Sequence, residues 1–348
     1  MHLRAFYKGR SYQFAWFTED GIAEHTRSFW NLHNNYIRYF GDTALKYKEL
    51  HRQMDLLMNQ DSTVDMQSER ILQTELQLTK HFFEYSTNAY LGKLNPKNLE
   101  WYIPRKKINV LVLLDSLVAG DGKNLQDWEP VNSYYQYLKS ELVHLYNIDK
   151  AGGWKEIAFD QLKNYKPGDS AFIIKQLKQR LRISSFDQSV DTTEYYTTGL
   201  VSLIKTTQKS FGIQSNGIVN DALIKELNVS VKDRIRQVLI NLERMRWVPD
   251  QPGGNLIIEA NRAFSHGCIR LSEPEKLASY LLRNQPEWTP KRMNEAMSAS
   301  AEKWITLKEQ LPVLISYFTS WVDSEGLLNF RDDIYGQDKE MAKHLLDQ

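Results

Sequence analysis

Along residues 1–165, aromatic and aliphatic side chains recur three and four positions apart, most regularly over 28–52 and 71–91, the spacing of one buried helix face. The pattern predicts a mainly helical N-terminal region, punctuated by Pro96 and Pro104. Trp128, Tyr134, Tyr135 and Tyr137 could stack on sugar rings, but at helical spacing they read as core packing. At Lys166-Pro167-Gly168-Asp169 the Pro-Gly pair breaks the helical pattern, and Asp169 or Ser170 can cap a helix over 172–181. A polar loop over 184–193 leads to a second helix over 198–211, stopped by Gly212, and Asn220 caps a third over 221–227. These three short helices form a compact module.

From Val231 a helix runs to Trp247 and is ended by Pro249. Its charged residues, Lys232, Asp233, Arg234, Arg236, Glu243, Arg244 and Arg246, read as a solvated face. Residues 251–261 contain Gly253-Gly254 and the strand-like Leu256-Ile257-Ile258. Further on, Ser272 and Glu275 form a capping box for a helix to about Arg283. The tail predicts a helix over 294–310, a strand-like run over 313–322 and a turn at Asp323-Ser324-Glu325-Gly326. The fold class expected is α+β, with helix dominant.

Composition narrows the function. At 348 residues and 42% hydrophobic, the chain has material for two or three domains. Lys plus Arg (44) and Asp plus Glu (43) cancel to +1, and the run Arg105-Lys106-Lys107 is too short for a nucleic-acid stripe. The apolar stretches 108–119 and 312–322 fall short of the ~20 residues of a membrane helix, so no membrane anchor is expected in this chain. Met1-His2-Leu3-Arg4 lacks the apolar core of a signal peptide, as would a chain whose leader had been removed. The single cysteine precludes an intramolecular disulfide and a Cys-rich zinc site, and the eight histidines do not fall at metal-ligand spacing. No His-Glu-x-x-His, phosphate-loop, dinucleotide or Gly-x-Ser-x-Gly motif occurs, so neither metal nor cofactor is expected. Gly120-Asp121-Gly122-Lys123 lacks the spacing of a phosphate loop and reads as a surface turn.

The chemistry concentrates in Ser265-His266-Gly267-Cys268-Ile269-Arg270, which gathers the lone thiol, an imidazole and a guanidinium. In an extended segment His266, Cys268 and Arg270 share a face. A cation beside a thiol favours the nucleophilic thiolate, and Gly267 clears space for a substrate backbone. Cys268 also lies four residues before Ser272, so the dipole of the following helix favours negative charge there if the fold brings them together.

This run resembles the signature of the L,D-transpeptidases (YkuD-type) of bacterial peptidoglycan, and the chain is similar to their multidomain YcbB-like branch. Phe6-Tyr7, Ala15-Trp16-Phe17, Leu99-Glu100-Trp101-Tyr102-Ile103-Pro104 and Ala151-Gly152-Gly153-Trp154 resemble that branch's scaffold. Lys166-Pro167-Gly168-Asp169, Gln208, Phe211-Gly212, Asn216-Gly217 and Leu227-Asn228 are similar to a peptidoglycan-binding helical module. Arg234-Ile235, Asn241-Leu242-Glu243-Arg244-Met245-Arg246-Trp247 and Phe330-Arg331-Asp332-Asp333-Ile334-Tyr335-Gly336 resemble the entry and end of the catalytic domain.

The resemblance implies a helical scaffold over 1–165, a peptidoglycan-binding-like module over 166–229 and a β-rich catalytic domain over 230–348. It implies Cys268 as the nucleophile on a stem peptide, 3→3 cross-linking through a thioester, Arg270 as an orienting group and Gly267 in an oxyanion-hole turn. Ser265 belongs to the same candidate site. Peptidoglycan stem peptides would be donor and acceptor, carbapenems would be covalent inhibitors, and the location would be periplasmic, at the cell envelope.

Two departures qualify the resemblance. Asn220 and Leu223 stand where the module usually has glycine and threonine, so packing competes with glycan binding there. Only Pro249 through Asn261 separate the charged helix from the cysteine run, too little for a β-sandwich whose strands need ~5–6 residues each. The usual histidine base is missing with that segment. His266 could replace it, although at roughly 6–7 Å along a strand it lies beyond a direct hydrogen bond to Cys268. The join at Ile258-Glu259-Ala260 reads as a deletion or as residues omitted from the numbering. A catalytically inactive peptidoglycan-binding scaffold is the alternative expectation.

Overall fold

The computed structural model describes residues 2–41, 45–59, 65–101, 103, 107–121, 133–158, 163–185, 190–248, 274–309 and 316–346. The chain divides into two compact units, Met1–Gly254 with Tyr317–Gln348, and Asn255–Ser316. Among the described residues there are thirteen α-helices and two two-stranded antiparallel sheets, a mostly helical chain with small β elements.

The first unit opens with α1 (His2–Gly9) and a hairpin of β1 (Phe17–Thr18) and β2 (Gly21–Ile22). The helical spacing over 28–52 falls on two helices, α2 (Glu24–Phe40) and α3 (Lys48–Met58). Gly41, at φ +59°, ends α2 in the left-handed region that a Cβ disfavours, and the apolar periodicity resumes on a new helix. In α4 (Glu69–Leu91) the buried Leu78, Phe82, Tyr85 and Ala89 follow the four-three-four rhythm of a helix stripe. Buried Glu75 ties the N-terminal elements to α4. Its carboxylate accepts from the Ala15 and Trp16 amides at 2.6 and 3.0 Å and from the Tyr7 hydroxyl at 2.7 Å. Burial pushes this carboxyl above its ordinary range, and the donated hydrogen bonds hold it partly back.

Next come α5 (Val110–Ala119), capped by Asn109, and α6 (Ser133–Lys150). Tyr135 is buried on α6, as core packing requires, while Tyr137 faces solvent; Trp128 lies outside the described residues. The helices α7 (Phe172–Ser185), α8 (Thr198–Ser210) and α9 (Asp221–Asn228) share a core that includes Ile174, Leu177, Tyr196, Ile204, Val219 and Leu223. The expected boundaries at 165/166 and 229/230 both fall inside the first unit.

Helix α10 (Val231–Trp247) packs against α4, α6, the strand β3 (Ser320–Val322) and α13 (Gln337–Leu345). Strand β3 pairs with β4 (Leu328–Phe330) in the register Ser320↔Phe330, across the turn expected at 323–326. In the second unit α11 (Pro274–Leu281) packs on α12 (Pro290–Met297). The helix expected over 294–310 is displaced: Thr289 caps its start with Pro290 in the first turn, and it ends at Met297. Of the strand expected over 313–322, residues 313–315 lie outside the described residues.

Candidate functional site

Ser265, His266, Gly267, Cys268 and Arg270, together with the join at Ile258-Glu259, lie outside the described residues. What is described is the framework from which that segment leaves and to which the chain returns: α10 before it, the β3–β4 hairpin and α13 after it.

The charges of α10 correct the expectation of a solvated face. Arg234, Glu243, Arg244 and Arg246 are buried, whereas Lys232, Asp233 and Arg236 in the first turns face solvent as expected. The physical reason is visible in the apolar positions. Ile235, Val238, Leu239, Ile240, Leu242 and Met245 wrap most of the helix instead of forming one stripe, so from Val238 onward it is buried on all sides. A charge on such a helix persists only if partnered.

On one side α10 holds the C-terminal hairpin. The Gln237 side-chain amide donates to the Thr319 and Arg331 carbonyls at 3.0 and 2.9 Å. The Asn241 amide donates to Thr319 Oγ1 at 2.7 Å and its oxygen accepts from the Thr319 backbone amide at 2.9 Å. Arg244 pairs with Asp338 at 2.6 Å, the same carboxylate accepts from the Thr319 hydroxyl, and the guanidinium lies over Trp101 and Tyr317. Burial draws both members of this pair toward their neutral forms, lowering Arg244 and raising Asp338, and the pairing opposes it. Asp333 caps α13 through the Gln337 and Asp338 amides.

On its other side α10 reaches the scaffold. Glu243 accepts from Arg246 at 2.9 Å and from the Leu94 backbone amide at 2.8 Å. Arg246 also donates to the Tyr135 hydroxyl at 2.8 Å and stacks over Phe40. Gly92 passes so close, at φ +81°, that a Cβ there would meet the Glu243 carboxylate and the Trp247 indole. Trp247 in turn packs edge-on against Trp101. The described motif residues at the entry and end of that framework are thus structural here. They join scaffold, α10 and C-terminal hairpin, and among the described residues none of them sets a nucleophile beside a base.

In the module, Gln208 is fully buried and donates to Asn216 Oδ1 and the Ile218 carbonyl, while its oxygen accepts from the Gly217 amide. Asn220 Oδ1 accepts from the Leu223 amide at 3.0 Å, and Leu223 is fully buried, so both departures from the family pattern serve a cap and a core. A cavity of about 270 Å³ between α1 and α4 is lined largely by apolar atoms of Leu3, Tyr7, Tyr12, Phe14, Leu72 and Leu76. Among the described residues no group of three His, Cys, Asp or Glu is arranged to hold a metal ion.

One spatial cluster escaped the sequence. His33, His51 and His81 meet where α2, α3 and α4 converge. No local spacing could reveal it, since each comes from a different helix.

Residues 2–142 match the family model of the Scaffold domain, a stretch reaching from α1 into α6. Over 95 residues the chain is 32% identical to a Haemophilus influenzae protein named "Putative L,D-transpeptidase". That match covers 27% of this chain and 19% of the Haemophilus protein, so it spans about one fifth of the curated relative's length. Over part of its length, then, the chain is related to proteins with a Scaffold domain and to a protein bearing that name.

Proposed function

We propose that the chain acts in peptidoglycan cross-linking as an L,D-transpeptidase, with Cys268 as nucleophile. The observation that carries this reading is the run Ser265-His266-Gly267-Cys268-Ile269-Arg270, in which the chain's only thiol stands between an imidazole and a guanidinium. The partial similarity to a protein named for that activity supports it. So does the clamping of α10 to the β3–β4 hairpin, which fixes the framework on both sides of the cysteine segment.

In the proposed reaction the Cys268 thiolate attacks the carbonyl between the third and fourth residues of a donor stem peptide. The terminal D-alanine leaves with a proton, and the amine of an acceptor stem resolves the thioester into a 3→3 link, releasing the thiol. Arg270 orients the donor and the Gly267-Cys268 turn supplies oxyanion donors. The setting is the periplasmic cell envelope. The second reading, a peptidoglycan-binding scaffold without activity, is favoured by the shortness of residues 249–261.

A carbapenem incubated with the chain is expected to add its mass once, and Cys268→Ala to abolish the adduct in intact-mass spectrometry. An unmodified chain with a free thiol overturns the transpeptidase reading. Pull-down on purified sacculi by such a chain, without release of D-alanine, supports the scaffold reading.

A further inference from the structure

The histidine cluster carries an inference independent of the cysteine chemistry. His33 (α2) is fully buried and His81 (α4) is 3% exposed, with ring centroids 5.2 Å apart. None of the four ring nitrogens of these two residues has a hydrogen-bond partner. His51 (α3), 5.8 Å from His33, is bonded on both sides, to the Tyr47 carbonyl and to Asn34 Oδ1. Trp30 stacks on His33 at 5.1 Å, Tyr85 meets the same ring edge-on, and Tyr47 meets His81 edge-on at 4.2 Å. Four buried, unpartnered polar atoms in an aromatic box are a cost that packing alone does not require.

The facing groups give a proton little counter-charge, and none at all beside His33. From α2 the cluster meets Trp30 and the neutral Asn34, whose oxygen is hydrogen-bonded to His51 and which opposes the lowering of His33 only weakly. From α3 it meets His51. From α4 it meets Lys80 and Glu84; Glu84 stands 3.9 Å from His81 Nδ1, accepts from the Tyr47 hydroxyl and lies 3.7 Å from Lys80. The rings do not converge as metal ligands. The species the cluster can answer to is the proton.

We propose that the junction of α2, α3 and α4 is an acid-labile lock, closed by neutral His33 and His81 and released when they take up protons. Burial first, and neighbouring imidazoles second, lower His33 from 6.5 to about 3; burial, His51 and Lys80 lower His81 to about 4. With both folded-state values below the unfolded one, the opened chain binds more protons between about pH 4 and 6.5. The stabilisation is complete above 6.5 and is lost as pH falls through that window.

The test compares urea unfolding of the full chain with that of His33→Phe/His81→Phe from pH 7.5 to 4.5. Two linked protons raise the wild-type unfolding constant, relative to the variant, by up to about 100-fold per pH unit below 6. Parallel pH dependences overturn the proposal. If the variant does not fold, ring-nitrogen NMR of the native wild type at pH 5.5 decides. Two imidazoles still neutral there support the lock, and protonated His33 and His81 rings in an intact fold refute it.

Discussion

The first unit buries polar side chains in two places, by opposite means. On α10, Arg244 and Arg246 are charged and each faces a carboxylate at hydrogen-bonding distance, Asp338 and Glu243. At the α2–α3–α4 junction, burial favours the neutral forms of His33 and His81, which face aromatic rings. A guanidinium does not shed its proton at physiological pH, so burying one demands a partner. An imidazole sheds its proton readily, so burial can simply neutralise it. The first arrangement is nearly indifferent to pH around neutrality; the second stores a pH dependence.

Removing a partner on α10 is expected to have the largest effect. Glu243→Gln leaves the Arg246 guanidinium buried without its counter-charge and should cost about 3–5 kcal/mol, measured by urea unfolding at pH 7.5. A loss below about 1 kcal/mol would mean that Tyr135 and the surrounding rings suffice for the charge. Gly92→Ala attacks the same contact from the other side, forcing a Cβ into a left-handed position against Glu243 and Trp247. It should cost about 2–3 kcal/mol, read in the same assay. The smallest effect belongs to the histidines. At pH 7.5, His33→Phe replaces an unpartnered ring with an apolar one of similar shape and should change stability by less than about 1 kcal/mol, with stabilisation the expected sign. A loss comparable to that of Glu243→Gln would show that His33 makes a polar contact worth as much as the α10 pairs.

Features set by a few neighbouring residues are legible in the sequence. Gly212 at φ +67°, Asn220 accepting from Leu223, and the 323–326 turn follow from residues whose side chains or backbone freedom act within a few positions. The break between α2 and α3 is not legible from periodicity, because the apolar rhythm over 28–52 persists across Gly41, a left-handed residue it does not register. The burial of Arg234, Glu243, Arg244 and Arg246 is not legible from charge alone, because it follows from the apolar residues that wrap the same part of α10. The proximity of His33 to His81 is a product of tertiary packing, invisible to any local window. The cysteine run drew its meaning from residue chemistry and from resemblance, and it lies outside the described residues.

The clamp between α10 and Thr319 has a topological consequence. Because Gln237 and Asn241 already hold the returning chain, the segment between residues 248 and 317 is a closed excursion whose two ends are tethered to the same unit. For a closed chain segment, the entropic penalty of closure grows only logarithmically, about 0.6 kcal/mol for each doubling of length. The anchoring contacts therefore tolerate wide variation in how much chain is inserted between them. Natural shortening or lengthening at this point can alter what the excursion does while leaving the helical framework that bears it intact.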